Sequence, residues 1–415
     1  MGAVRKGRPF AFCRLDADKT KGHDRPLPEF VMPPHLIMLA PAPVIRLPDG
    51  QLRLDVKYVE GMRAHRDAWP GTLSGVIWEG ATTVPFGATY APDALGFDLT
   101  VLPEGATPQV EAADLIAAPA DMADVLSLAD GPVPVVFVVE YTLGTRLRIV
   151  ALEQGRSILR KAWSALWNIR MERRRRAAFR KAAGVQCNGY PAFDAYAALN
   201  RQTLLYLDGR MRGAMMATQA DLAAKAAYAG PLRIVHSGRL EPMKGAQDLM
   251  PLATALRRAG VAFTLDIFGT GSLEAELAQQ AADFGGAVRL HRPVDFDTAL
   301  VPWMRAEADL FLSCHRQADP SCTYLESLGC GVPVLGYAND MWRRLSVASG
   351  GGWSVPMADH GAMTERIVTL SAQRGALHAA AKAGLAFAQD HAFEREFAGR
   401  MAHFAQCLAG QRAVR

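Results

Sequence analysis

The stretch "DLFLSCHRQADPSCTYLESLGCGVPVLGY", Asp309–Tyr337, sets an apolar run on either side of a short helical pattern. "DLFLS" and "VPVL" are brief aliphatic runs bounded by turn residues, a composition that suits strands covered on both faces. Between them, Asp319 and Pro320 read as a helix start, with aspartate as N-cap and proline at the first helical position. This predicts a helix over 320–329, ended tightly by Gly329 and Gly331. Strand, helix and strand in so short a span imply a βαβ crossover and hence a parallel sheet. The unit also sets Glu326 between two buried strands, where a carboxylate needs a partner from the protein or from a ligand.

The alternation extends outward from this unit. Strands are predicted over 232–235, 263–268, 287–290, 309–313 and 332–335, and helices over 245–259, 272–284, 297–306 and 360–373. The pattern is that of a doubly wound α/β domain, whose ligands bind at the carboxyl ends of the strands. The first half is looser: "LIMLA" (36–40), "GVIW" (75–78), "FDLTVL" (97–102) and "VPVVFVVEY" (133–141) read as strands, with helical patterns near 110–130 and a basic helical region over 146–183. A second α/β domain follows from this, with the junction inside 205–230. The stretch 380–410 reads as one or two amphipathic helices.

At 415 residues the chain exceeds one ordinary core, and 21% charged residues with half hydrophobic mark a folded protein. No apolar run reaches the roughly 18 residues that cross a bilayer. The basic N-terminal stretch lacks the apolar segment of a signal peptide, and Lys6 stands where a myristoylation signal needs Ser or Thr. A cytoplasmic chain is expected. The six cysteines, at 13, 187, 314, 322, 330 and 407, form no CxxC pair, which fits reduced thiols and argues against structural zinc. The net charge of +5 is concentrated: Arg160–Lys181 holds nine Lys or Arg against the single acid Glu172, with Trp163, Leu166, Trp167 and Ile169 interleaved. Three readings stand: a solvated helix face, an anionic membrane surface, or nucleic acid. The paired tryptophans favour a membrane interface over solvent, and nothing else resembles a nucleic-acid module.

Three segments could carry chemistry. In "IVHSGRLEPMKGAQDL" (234–249) a strand ends in a turn at Gly238, and Arg239 and Lys244 follow before a helix. Two cations beside a helix N-terminus would hold a diphosphate without a metal ion. The plainer reading is a solvated loop, and the turn does not match GxxxxGK[ST]. In "LDIFGTGSLEAEL" (265–277), Gly269 and Gly271 would allow close approach of a ligand, or would serve only a tight βα turn. In the opening stretch, the backbone N–H groups of Ser321, Cys322 and Thr323 would point out of the strand ends, with Glu326 about two turns along.

Together these pieces resemble the C-terminal domain of retaining, nucleotide-sugar-dependent glycosyltransferases of GT-B fold, the "glycosyl transferases group one" family. The order agrees over roughly residues 230–380: GR(x)4KG at Gly238–Gly245, G-x-G at Gly269–Gly271, "VRLHRPV", "ADLFLSC", "YLESLGCGVPVLGY" and "GGGWSVPMAD". The resemblance implies two Rossmann-like α/β/α domains facing across a cleft: an acceptor-side domain (1–215), a donor domain (216–385), and a C-terminal helix (386–415) returning to the first domain. It implies that Arg239 and Lys244 bind the donor diphosphate and stabilise the leaving group. Glu326 then matches the second acid of an E-x7-E motif and bonds the ribose, Val294 marks the base-binding strand end, and Ser321–Thr323 lie over the phosphates. The first acid of that motif falls at Ala318. Asp319, one place later, either takes over its contact with the donor sugar or only caps the helix; His315 and Arg316 could also face the sugar.

The expected function is transfer of a sugar, with retention and without metal or cofactor, from a UDP- or GDP-linked donor to a saccharide or lipid-linked acceptor. Envelope polysaccharide or glycolipid synthesis at the inner face of the membrane, contacted through 160–181, is the expected setting. The alternative is a non-catalytic sugar-nucleotide- or polysaccharide-binding protein on the same fold. A phosphorylase-like enzyme would need a pyridoxal-phosphate lysine site that the sequence does not suggest.

Overall fold

The computed structural model describes residues 33–84, 87–153, 155–318 and 320–414. The basic N-terminal stretch, Cys13 and Asp319, on which expectations were placed, lie outside the described residues.

Sixteen strands are described: β1 (His35–Leu39), β2 (Val44–Arg46), β3 (Leu52–Asp55), β4 (Thr72–Trp78), β5 (Gly87–Tyr90), β6 (Asp98–Leu102), β7 (Leu115–Pro119), β8 (Val135–Val139), β9 (Gly184–Asn188), β10 (Thr203–Tyr206), β11 (Leu232–Ser237), β12 (Phe263–Phe268), β13 (Val288–His291), β14 (Leu310–Ser313), β15 (Val334–Tyr337) and β16 (Gly352–Val355). A seven-stranded sheet has the order β10-β9-β8-β7-β1-β4-β6, a six-stranded sheet the order β13-β12-β11-β14-β15-β16, and every pairing within both is parallel. A small antiparallel sheet, β2-β3-β5, accompanies the first.

Counted along the chain within each large sheet, both run 3-2-1-4-5-6, the first with one further strand at its edge. The order reverses between β1 and β7 in the first sheet and between β11 and β14 in the second. Loops leaving adjacent strands diverge at such a reversal and open a crevice for a ligand. These are two Rossmann-like α/β domains of GT-B architecture, as the sequence led us to expect.

The aliphatic runs explain where the strands lie. Every residue of β14 and of β15 is buried, with helices over both faces. Each large side chain so covered contributes about 1.5–3 kcal/mol, enough to fix the register against a one-residue slip. Residues 110–130 were expected to be helical; instead "LIAAP" forms β7, wholly buried at the centre of the first sheet, followed by a 3-10 segment at Asp124–Asp130. Five residues are too few to carry a helical period, so burial decides the conformation. The helix expected over 320–329 starts instead at Thr323 and ends at Gly329. Its lead-in is drawn toward the first domain: the Ala318 carbonyl accepts from Thr145 Oγ1 (3.5 Å), and Pro320 lies against Gly189.

The basic region forms a helical hairpin, Leu143–Leu152 and Ile158–Lys181, between β8 and β9. The last helix, Phe393–Val414, lies on the first sheet: Arg400 Nε donates to Gln186 Oε1 (3.0 Å), and Cys407 reaches Gly184. Among the described residues no helix is long and apolar enough to cross a membrane, and the five described cysteines are free.

Candidate active site

Three loops meet at the strand reversal of the second sheet. The loop after β11 carries Gly238, Arg239 and Lys244. Gly238 N–H donates to the Phe268 carbonyl (3.0 Å) and Leu240 N–H to Thr270 O (2.9 Å), joining it to the turn after β12. Ser272 completes the joint, donating from its N–H (2.9 Å) and its hydroxyl (2.6 Å) to the Glu241 carboxylate. Those two bonds hold the Glu241 carboxyl below its ordinary range. On the other side, Arg316 N–H donates to Met243 O (3.2 Å), tying in the loop after β14.

The glycines make this packing feasible. A Cβ at Gly269 would lie 2.0 Å from the Gly238 carbonyl oxygen, and one at Gly271 2.5 Å from that of Leu240. Gly245 has φ 72°, and a Cβ there would fall 1.9 Å from the Cys314 carbonyl oxygen. Such contacts forbid any side chain without backbone movement. The glycines at 245, 269 and 271 therefore serve loop-on-loop packing, which brings the Arg239–Lys244 segment beside the turn after β12 and the end of β14.

Arg239 is exposed, whereas Lys244, closing the turn Pro242–Lys244, is only 8% exposed. Behind them His236 is fully buried, its Nδ1 3.0 Å from the Leu312 carbonyl. Burial lowers its pKa, the Leu312 carbonyl bond opposes this, and the Lys244 charge adds a smaller push downward.

The loop after β14 is pinned. Arg316 makes a bidentate pair with the buried Asp248 (2.7 and 3.1 Å), which His360 Nε2 also approaches (3.0 Å). His315 is buried beside Tyr324, and its carbonyl accepts from Asn339 Nδ2 (3.2 Å). The structure thus engages both residues that were candidates to face the sugar within the protein. Ala318 is 2% exposed, and next to it Gln317 is buried with an Oε1 that accepts no hydrogen bond among the described residues.

Glu326 is half-buried on the helix Thr323–Gly329, with Ser321 and the N-cap Cys322 just before it; Ser321 Oγ and Thr323 Oγ1 are 3.0 Å apart. Burial raises the Glu326 carboxyl above its usual range, Lys57 and Arg210 pull it back, and Asp208 adds to the rise. These partners come from outside the second sheet: Lys57 from the helix Val56–Ala68, Asp208 and Arg210 from the segment after β10. Arg210 also lies over the Phe296 ring (4.7 Å), two residues from Val294, whose side chain is exposed in the loop after β13.

Sequence reasoning did not find the first domain's share. Glu140, just past β8, accepts from Asn188 Nδ2 (2.8 Å) and Tyr206 hydroxyl (3.4 Å). Burial, then Asp208, push its carboxyl up to about 7. Cys322 Sγ lies 3.8 Å from Asp208 Oδ2, so Glu140, Asp208 and Glu326 form one acidic series running from the first sheet to the second, with Lys57 and Arg210 beside it. The only sequence signal for Glu140 was an acid ending an apolar strand.

The comparisons with known proteins bear on this geometry. Residues 231–373 match the family described as "Glycosyl transferases group 1". No curated protein matches the chain by sequence. Among solved structures, the chain is similar to a sucrose-phosphate synthase from Thermosynechococcus elongatus (TM-score 0.64, 16% identity, 92% of this chain and 100% of that one). Similar too are Anabaena HepE in complex with UDP-glucose (0.58, 16%, 92% and 100%) and WaaG, a glycosyltransferase involved in lipopolysaccharide biosynthesis (0.56, 12%, 88% and 98%). At these identities the likeness carries the fold, and the family match covers residues 231–373 alone. Residues 231–373 thus form a domain of the glycosyl transferases group 1 type, in a chain with the GT-B fold of the glycosyltransferases it resembles.

Proposed function

We propose that the protein transfers a sugar, with retention of anomeric configuration, from a UDP- or GDP-linked donor to a saccharide or lipid-linked acceptor at the cytoplasmic face of a membrane, in polysaccharide or glycolipid synthesis. The observation that carries this reading is the interlocked platform at the strand reversal of the second sheet, with Arg239 and Lys244 on one loop and Glu326 on the helix beyond the next. Neighbours crystallised with UDP and UDP-glucose support a nucleotide-sugar donor.

In this reading the diphosphate lies over the 238–245 loop. Arg239 and Lys244 are fixed cations aimed at charge that grows as the sugar departs, and such preorganised groups need no reorganisation at the moment of reaction. Glu326 accepts from the ribose hydroxyls. Its charge is supported from across the cleft by Lys57 and Arg210, so the first domain helps to prepare the donor site. The bond from the anomeric carbon to the phosphate oxygen breaks on the face where the acceptor hydroxyl enters. The departing phosphate oxygen then takes that hydroxyl's proton. With alanine at 318, Gln317 Oε1, which accepts no hydrogen bond among the described residues, is the acceptor we assign to a donor-sugar hydroxyl; Asp319 retains its two alternatives, sugar contact or cap.

The missing acid at Ala318 favours one second reading, a sugar-nucleotide-binding protein without turnover. Incubation with UDP- and GDP-sugars and a mixed pool of lipid-linked acceptors separates the two. Release of nucleoside diphosphate, reduced about a hundredfold or more in Lys244→Ala, supports transfer. Donor binding without consumption supports the second reading, and wild-type turnover by both Lys244→Ala and Glu326→Ala refutes the site.

A further inference from the structure

The hairpin Leu143–Leu152/Ile158–Lys181 does more than cross from β8 to β9. Arg175 is buried and its Nε donates to the carbonyl of Ala120 (2.9 Å), one residue past the carboxyl end of β7. After Lys181, Ala183 N–H donates to the carbonyl of Val135, the first residue of β8. Residues 175–183 therefore lie along the sheet, and Met171 and Glu172 are still buried, Glu172 accepting from the Tyr196 hydroxyl (3.0 Å). Residues 158–167, ahead of the buried Asn168, form the projecting overhang, about 15 Å long at 1.5 Å per residue. Its base touches the donor side: Thr145 Oγ1 donates to Ala318 O (3.5 Å), Arg148 pairs with Asp340 (3.5 Å), and helix Leu143–Leu152 runs alongside Pro242–Lys244.

The overhang is graded along its length. At its far end Ile158, Leu159 and Trp163 are 85%, 83% and 72% exposed, and Leu166 is 65% exposed. At ~100° per residue, Leu159, Trp163 and Leu166 share a face with Arg170, Arg173 and Arg174, which lie nearer the sheet and are also exposed. The opposite face holds Asn168, Met171, Glu172 and Arg175, all buried. The division corrects the view of 160–181 as one basic surface: Arg175 belongs to the interior, and Arg176 pairs with Glu172 (3.6 Å).

We propose that this overhang is an arm that docks on an anionic phospholipid bilayer. Its apolar side chains Leu159, Trp163 and Leu166 enter the interface, the exposed Arg160 flanks them, and Arg160, Arg170, Arg173 and Arg174 meet the headgroup phosphates. Large apolar side chains at the end, tryptophan among them, followed by cations on the same face, match the order of layers met on entering a bilayer. A solvated helix has no reason to place four large apolar groups in water, and a protein partner would not require the arginines to follow at headgroup depth. The inference deepens the reading of a membrane-presented acceptor and rests on it for its purpose, because docking through the arm turns the cleft toward the bilayer. The docking itself is tested separately.

The test is flotation of the full chain with vesicles of phosphatidylcholine alone, or with about a third phosphatidylglycerol, at low salt. Two variants accompany it: Trp163→Ser with Leu166→Ser, and Arg170→Glu with Arg173→Glu and Arg174→Glu. All changed residues are exposed and outside the donor site. The wild type is expected to float with the anionic vesicles only. Each variant is expected to bind them at least about tenfold more weakly, with melting temperature and UDP or GDP binding unchanged. Unchanged flotation of the Ser variant, or a wild type that ignores anionic vesicles, overturns the arm. A wild-type dimer that the Ser variant converts to monomer, without vesicle binding, assigns the face to a second copy of the chain and overturns it too. Loss of nucleotide binding in the wild type would instead refute the donor reading and leave the vesicle result standing.

Discussion

The two sheets share one strand order, but their carboxyl ends are built from different materials. In the second sheet the loops close on one another through backbone, with glycines where carbonyl oxygens approach within 2.0 Å of a would-be Cβ. In the first sheet the corresponding rim is made of side chains: Glu140 held by Asn188 and Tyr206, Arg146 paired with Asp121, and the long helical arm beyond them. Backbone packing tolerates almost no substitution and holds groups where a diphosphate needs them. Side-chain packing tolerates many substitutions.

That contrast predicts unequal mutational costs. The largest belongs to the glycine joints. Gly269→Val would drive a branched side chain into the Gly238 carbonyl, and Gly245→Ala would place a Cβ against Cys314 at a left-handed backbone position. We expect each to cost about 3 kcal/mol or more, read as a fall in urea midpoint at unchanged slope, together with loss of nucleotide binding. A loss below about 1 kcal/mol would mean that the loops are looser than described.

A middle effect is expected at Glu140. Its folded carboxyl, near 7, lies above the 4.5 of the free side chain, so the folded state holds the proton more tightly than the unfolded one. Its contribution is therefore full below pH 4.5 and is lost as pH rises through 7. Glu140→Gln keeps an acceptor for Asn188 and carries no charge. It should match the wild type at pH 5 and exceed it by about 1–2 kcal/mol at pH 8 in denaturant titrations. A gap independent of pH would contradict the burial of this carboxyl.

The smallest effect is expected where the two domains meet through exposed charges. Arg148 and Asp340 are each about half exposed (47% and 53%) and 3.5 Å apart. Arg148→Ala should cost no more than about 0.5 kcal/mol, and the loss should vanish at high salt. A salt-resistant cost would show that the domains are locked together by this contact rather than merely adjacent.

The same contrast explains what could be read from the residues. The second domain was legible because parallel strands buried on both faces leave continuous aliphatic runs, and because the glycine, arginine and lysine of its candidate loop stand close together in one segment. The first domain was less so. "LIAAP" carries no period, β9 is "GVQCN" with a buried glutamine and asparagine, and in the small sheet β3 pairs with β5 across an intervening helix and strand. The partners of Glu326 were invisible for a further reason. Lys57, Asp208 and Arg210 are ordinary charged residues until the fold brings them to one carboxylate. The pairing of Arg316 with Asp248 was equally hidden, because the two lie 68 residues apart in sequence. The basic segment was recognised, but only the packing of Arg175 on Ala120 shows which half of it projects.

The central claim is that the loops at the strand reversal of the second sheet bind a nucleoside diphosphate sugar through Lys244 and Glu326. Its most direct test is calorimetric titration of UDP, GDP and their sugar conjugates into the wild type, Lys244→Ala and Glu326→Ala. The account predicts saturable binding of one nucleotide series at a single site, weakened about tenfold or more by either substitution with folding stability retained. Absence of binding by every nucleotide, or equal affinity in all three proteins, would contradict it.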